Sequence, residues 1–309
     1  MGYKEILQAM APEKYPKIDP VDPYRQKYDF EFIGPVKPPE PIPINKPTTA
    51  EILEFEEAEI LFYNVNSIRS ATRQQRVSMG IQRRKPEVAI FAETKHHKKD
   101  PEFKLDGYYL VTQIARDGGA GGMMVYAKDT INIEEQHAKS VVKEVQVVDF
   151  MFAGHLVIGV YRSPNAVGPP INQHKKLIQY IKKLLNKRAP GTPFSIVGDF
   201  NLPTLAACNF RPIPKLYDYT CIFDEDKESI NMEWSELFAH FDLTNHVTEP
   251  SRPATDNRLD LLITEKSQGV PYVKVDSKDE DFMGLSDHYP LYFKIDVEFA
   301  TEETIRTKR

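Results

Sequence analysis

The stretch FSIVGDFN, residues 194–201, decides how this chain is read. Phe194, Ile196 and Val197 form a short apolar run, the pattern of a strand buried on both faces, and the run stops at a carboxylate and an amide. Residues two apart on an extended chain share a face, so Asp199 and Asn201 turn two oxygen-bearing side chains towards one cleft. Three further apolar strands carry polar residues at an end: EILFYNVN (59–66) with Asn64 and Asn66, EVAIFAE (87–93) with Glu93, and RLDLLIT (258–264) with Asp260.

Outward from these strands the pattern alternates. TRQQRVSMGIQRR (72–84) sets Val77 and Ile81 four apart on a helix that Pro86 ends, giving a β–α–β rhythm. YYLVTQ (108–113), MMVYAK (123–128), VVKEVQVVDFMF (141–152) and HLVIGVY (155–161) read as strands of a meander. QHKKLIQYIKKLLNKR (173–188) is an amphipathic helix with a solvated lysine face. A helix over 231–241 and a last strand over 290–297 complete the set. These elements predict one α/β domain over 58–298, with packed sheets covered by helices. It follows a proline-rich, acidic N-terminal extension over 1–57 and precedes a C-terminal tail over 299–309.

Composition narrows the function. The 309 residues carry 40 Lys+Arg against 45 Asp+Glu, a net charge of −5, and are 41% hydrophobic, which excludes a wholly disordered chain and a globally basic DNA-coating protein. Residues 1–57 hold 7 basic and 11 acidic side chains, leaving 33 against 34 for the rest, so most of the acidity lies in the extension. Cys208 and Cys221 build neither a disulfide framework nor a thiolate zinc site. Without a long apolar run, a signal-like start, or Ser/Thr at Ile6 for myristoylation, the expectation is an intracellular protein, nuclear or cytoplasmic, with no membrane partner. Ten of the 24 prolines fall in the first 50 residues, interleaved with Tyr24, Tyr28, Phe30 and Phe32. A flexible tail is the plainer reading, and a segment laid extended on a protein partner the other.

Carboxylates and amides without a Cys or His cluster make a hard oxygen environment, which suits Mg²⁺, or Mn²⁺, better than zinc. Singly, each of these residues reads as a turn or cap. Together, YNVNS (63–67), FAETK (91–95), YRSPN (161–165), GDFN (198–201), RLDLL (258–262) and SDH (286–288) stand in an order that resembles the endonuclease/exonuclease/phosphatase superfamily. With GGAGGMMVYAK (118–128) and EPSRPATDNRLDLLIT (249–264), the chain is most similar to the apurinic-type endonuclease domains of non-LTR retrotransposons.

The resemblance implies a four-layered α/β (α+β) sandwich of two mixed sheets flanked by helices. It implies that Glu93 is the main Mg²⁺ ligand, with Asn66 and Asp287 supporting the ion or its waters. Asp199 is implied to activate the attacking water beside Asn201, His288 to bind a phosphate oxygen, and Asp260 to orient His288. Tyr161, Asn64 and Asn165 match phosphate-side contacts, and Arg162 lies beside them. The implied activity is Mg²⁺-dependent hydrolysis of a DNA phosphodiester to 3′-hydroxyl and 5′-phosphate ends, by a retroelement nicking enzyme's excised domain or a host protein derived from one. An apurinic-site repair enzyme is the nearest alternative, from which Asn66 departs where repair enzymes carry Asp. A catalytically silent scaffold acting through 1–57 is the alternative from another class. Ser67, where the family commonly has Gly, is neutral. Arg69, Arg73, Arg162, Arg211 and the Lys95–Lys99 run with His96 and His97 are the basic residues weighed for gripping DNA, against plain exposed charges.

Overall fold

The computed structural model describes residues 55–116, 121–143, 145–164, 169–202, 225–269, 272–277, 280, 282 and 284–298. Their strands form two six-stranded sheets. One contains β1 (Phe55–Asn64), β2 (Val88–Ala92), β3 (Tyr108–Ile114), β4 (Met123–Lys128), β11 (Tyr272–Val275) and β12 (Leu291–Glu298), ordered β11-β12-β1-β2-β4-β3. The other contains β5 (Ile133–Val142), β6 (Val145–Phe152), β7 (His155–Arg162), β8 (Phe194–Asp199), β9 (Leu243–Asn245) and β10 (Asp260–Glu265), ordered β5-β6-β7-β8-β10-β9.

Each sheet has one parallel pair, β1 with β2 and β7 with β8, and its other pairs are antiparallel. A parallel pair needs a crossover, and helices α1 (Ala71–Arg84) and α2 (Pro170–Lys187) supply the two. Helix α3 (Glu225–His240) lies between β8 and β9 in sequence. The Ser70 hydroxyl caps α1 by accepting the Arg73 N–H, and Lys85 closes it in the left-handed conformation, just before Pro86.

Strand alternation sorts the apolar residues into three clusters, and the clusters define four layers. Ile60 and Phe62 of β1 face inwards, meeting Phe150, Val197, Leu262 and Phe293 between the sheets. Leu61 and Tyr63 face outwards against Val77 and Ile81 of α1. Phe194, Ile196, Leu261 and Ile263 pack on the far side against Leu177 and Ile181 of α2 and Trp234 of α3. This is the four-layered sandwich of two mixed sheets flanked by helices that the family resemblance implies.

Several boundaries differ. β1 begins at Phe55, three residues before Ala58. The run 141–152, read as one strand, holds the end of β5 and all of β6, paired antiparallel on either side of a turn at Lys143. Most of β5 carries no apolar pattern, because its residues 134–140 are exposed, as an edge strand tolerates. α3 starts at Glu225 instead of 231.

Register places the site. Val148, Gly159, Val197 and Leu262 lie side by side across β6, β7, β8 and β10 as an apolar row. Two residues nearer the rim, the same strands align Gln146, Tyr161, Asp199 and Asp260. The period-two rule turns this polar row inwards as well, so the interior ends in groups that must find partners or do chemistry.

Candidate active site

Asp199 is fully buried at the end of β8. A buried carboxylate costs several kcal/mol unless donors hold it, and two do. Asn64 at the end of β1 donates from Nδ2 to Oδ2 at 2.8 Å, and the Asn201 N–H donates to Oδ1 at 3.0 Å. Asn201 has φ +46°, which folds the chain back over the carboxylate, and its Nδ2 donates to the Arg162 carbonyl at 2.8 Å. Gly198 is fixed by closeness: a Cβ there would stand 2.1 Å from the Val160 carbonyl oxygen on β7. Burial first, then the charge of Asp260, raises the Asp199 carboxyl to about 7, against the pull of His288, Asn64 and Asn201.

His288 joins Asp199 to Asp260. Its Nδ1 lies 2.6 Å from Asp260 Oδ2, and its Nε2 lies 4.0 Å from Asp199 Oδ2. Burial would depress the imidazole, but the charge and hydrogen bond of Asp260 outweigh it, with smaller help from Asp199 and Asp287, and raise His288 to about 9. Asp199, Asp260 and His288 each offer a ligand atom within 4.8 Å of the others. The Asp260 bond occupies Nδ1 and leaves Nε2 facing Asp199, an arrangement suited to acid–base chemistry.

Ser251, buried and unforeseen from sequence, holds that pair together. Its Oγ accepts the N–H groups of Leu259 and Asp260, both at 3.0 Å, and its carbonyl accepts the Tyr289 N–H at 2.7 Å. One residue thus fixes the backbone on both sides of the Asp260–His288 contact. A serine beside Arg252 in a polar loop gave no periodic signal that could have marked it.

The loops after β1 and β2 carry Asn66 and Glu93 and zip together. Ser67 N–H donates to Glu93 O at 2.7 Å, and Ile68 N–H to Thr94 O at 3.0 Å. Asn66, Ser67, Glu93 and Lys95 all have positive φ, at +46°, +97°, +53° and +53°. Such strain persists only where the surroundings over-determine it. The value at Ser67, +97°, is one that glycine adopts more easily than serine.

Arg73, a basic residue beside the Asn66 loop, braces the backbone. Its guanidinium donates to the carbonyls of Ser67 and Val65, each at 2.6 Å, of Asn66 at 3.1 Å, and of Leu285. Gly122, φ +94°, supports the Glu93 loop from below. The Lys95 N–H donates to Gly121 O at 2.9 Å and the Thr94 N–H to Gly122 O at 3.0 Å, while the Gly122 N–H donates across the sandwich to Gln146 Oε1 at 2.8 Å.

Glu93 Oε1 and Asn66 Oδ1 point at one cation, the Lys95 ammonium, at 3.5 and 2.5 Å. A carboxylate and an amide oxygen already converging on a positive charge are a donor set that fits Mg²⁺ or Mn²⁺. Asp287 is engaged by Arg252 at 2.6 Å; burial works against its ionisation, but the charge of His288 and the Arg252 bond hold its carboxyl below the usual range. Tyr161 is buried beside Asp199 in register. Arg162 is buried too, 5% exposed, with a terminal nitrogen donating to Asn201 O at 3.4 Å. Arg69 is exposed and paired with Asp100, and His96, expected in a solvated loop, is buried with Nε2 2.8 Å from the Pro101 carbonyl oxygen. Asn165 and Arg211 lie outside the described residues.

A sandwich whose inner faces end in an Asp–His–Asp set beside an oxygen-lined cation position defines a class of phosphoester-cleaving proteins. The chain belongs to the Endonuclease/Exonuclease/phosphatase family, whose model matches residues 61–288. Solved structures share the fold at low identity. The 3′-5′ exonuclease NExo from Neisseria meningitidis is 17% identical, covering 77% of this chain and 99% of its own, with a TM-score of 0.56. The AP endonuclease LMAP from Leishmania major is 14% identical over 78% and 88%, at 0.54. The endonuclease domain of TRAS1, a telomere-specific non-LTR retrotransposon, is 16% identical over 79% and 100%, at 0.51. No curated protein matches the sequence. Among the described residues, no helix is long and apolar enough to cross a membrane.

Proposed function

We propose that this chain is a divalent-metal-dependent endonuclease that hydrolyses a DNA phosphodiester to 3′-hydroxyl and 5′-phosphate ends, as a retroelement-type nicking enzyme or a host protein derived from one. The observation that carries the reading is the buried Asp199 carboxylate 4.0 Å from a histidine that Asp260 holds cationic. A base and a cation side by side are what in-line attack of water on a phosphodiester needs. Asp199, oriented by Asn64 and Asn201, takes the proton of the attacking water. His288, with Nδ1 occupied by Asp260, presents Nε2–H to a non-bridging phosphate oxygen. Tyr161, Arg162 and Asn165 belong to the phosphate side of the same cleft. Glu93 and Asn66, supported by Asp287, would hold Mg²⁺ or Mn²⁺, which supplies positive charge for the leaving oxygen.

Residues 58–298 form the catalytic domain in this account, residues 1–57 an extension suited to a protein partner, and residues 299–309 a tail. In this reading the protein works inside the cell, in nucleus or cytoplasm. Asn66 in place of Asp, and the SRPATDNRLDLLIT segment, favour the retroelement type over repair, and the TRAS1 domain is a fold relative with that role. The test offers the full chain, with Mg²⁺, intact supercoiled plasmid and an abasic duplex oligonucleotide, then supplies a DNA polymerase. Nicked plasmid that primes synthesis directly is the expected result. Cleavage confined to the abasic duplex would make the chain a repair enzyme, and nicks that need trimming before extension would refute the assigned ends.

A further inference from the structure

We propose that Lys95 is a tethered cation that competes with the divalent ion for the oxygens of Glu93 and Asn66, and so sets how much metal the site demands. The inference rests on the reading of those two residues as ligands of the ion. An exposed lysine paired with a carboxylate is usually worth little, because water shares its charge. Lys95 differs in three respects. Its ammonium meets oxygens from the ends of two separate strands, Asn66 Oδ1 at 2.5 Å and Glu93 Oε1 at 3.5 Å. Its backbone is held at φ +53° by the N–H bond to Gly121 O, so the chain directs the side chain there at a conformational cost. Its side chain is 26% exposed, leaving less water than usual to screen it.

The charge count gives this placement its consequence. Glu93 is offset by Lys95, and Asp287 by Arg252 at 2.6 Å. With the neutral Asn66 as third ligand, the formal charge of that set is zero. A divalent ion entering it must displace an ammonium and is drawn only weakly by this set until further negative charge arrives, and a DNA phosphate brings that charge. The ion and the substrate are therefore expected to load together, with weak binding of the ion to the free protein.

The test measures Mn²⁺ binding to the full chain without DNA, by the electron paramagnetic resonance signal of free Mn²⁺. Lys95→Met should tighten binding by about tenfold, the order expected for removing a unit charge a few ångströms from the ion. Lys95→Arg, which keeps the charge, should bind Mn²⁺ as weakly as wild type. Equal or weaker binding by Lys95→Met, with an unchanged far-ultraviolet spectrum, would overturn the proposal; should that variant misfold, Lys95→Gln is held to the same outcomes. Glu93→Gln in the Lys95→Met background separates the two readings. If it abolishes the gain, the ion sits at Glu93. If the gain survives, the assignment of Glu93 as ligand fails, and the inference with it.

Discussion

Asp260 moves both Asp199 and His288 towards their proton-bound forms, and burial adds to its effect at Asp199 but opposes it at His288. Burial and Asp260 lift Asp199 to about 7; Asp260 lifts His288 to about 9. In the proposed mechanism Asp199 must have lost its proton and His288 must keep one. Cleavage should therefore rise as pH passes about 7 and fall above about 9, the two limbs belonging to the coupled set. Asp260→Asn removes the largest influence raising His288, so the falling limb should move to lower pH; a pH–rate profile of kcat/KM for both proteins checks this, and an unmoved limb would show that His288 does not set it. Asp199 and Asp260 stood out in the sequence as carboxylates at the ends of apolar strands, whereas His288, in the loop before β12, was marked only by the resemblance carried by SDH (286–288). The sequence hid Ser251 and Arg73, which act through backbone carbonyls and N–H groups, since any polar loop contains such side chains.

Strands and loops are decided by contacts that single residues do not announce. The Glu93 loop rests on Gly122, where a Cβ would fall 2.4 Å from Thr94 Oγ1 on a backbone at φ +94°. Gly122→Ala should cost on the order of 2–4 kcal/mol of stability and displace Glu93, read as a lower midpoint in denaturant together with weaker Mn²⁺ binding. An alanine variant as stable as wild type would mean that the loop does not depend on this contact. The buried strands were legible, because continuous apolar runs such as FSIVGD have few other uses. β5 was not: its residues 134–140 face solvent, and what makes it a strand is its partner β6. The turn at Lys143 was invisible for the related reason that the apolar alternation runs on through it.

At the scale of the whole molecule, two β–α–β crossovers build two sheets whose inward rows become polar together at one rim, and the site is the place where they meet. β1 is the strand that this arrangement can least lose: it pairs with both β2 and β12, and Phe55 and Glu57 lie opposite Glu298 and Asp296. The fragment 52–309 keeps these pairings and should melt as the full chain does and nick at a rate within about twofold of it. A fragment beginning at residue 65 lacks β1 and should not fold; if 52–309 also failed, the N-terminal extension would be part of the domain. Packed sheets covered by helices could be read from the apolar positions and the four layers only from the resemblance, whereas strand order could not, because periodicity records which face is buried and not which strand lies beside which. The most direct test of the account is nicking of supercoiled plasmid by the full chain in Mg²⁺, beside Asp199→Ala and His288→Ala proteins shown by thermal melting to be folded. The account predicts wild-type cleavage that falls by about a thousandfold or more in each variant; wild-type protein that leaves the plasmid intact, or folded variants that nick as it does, would contradict it.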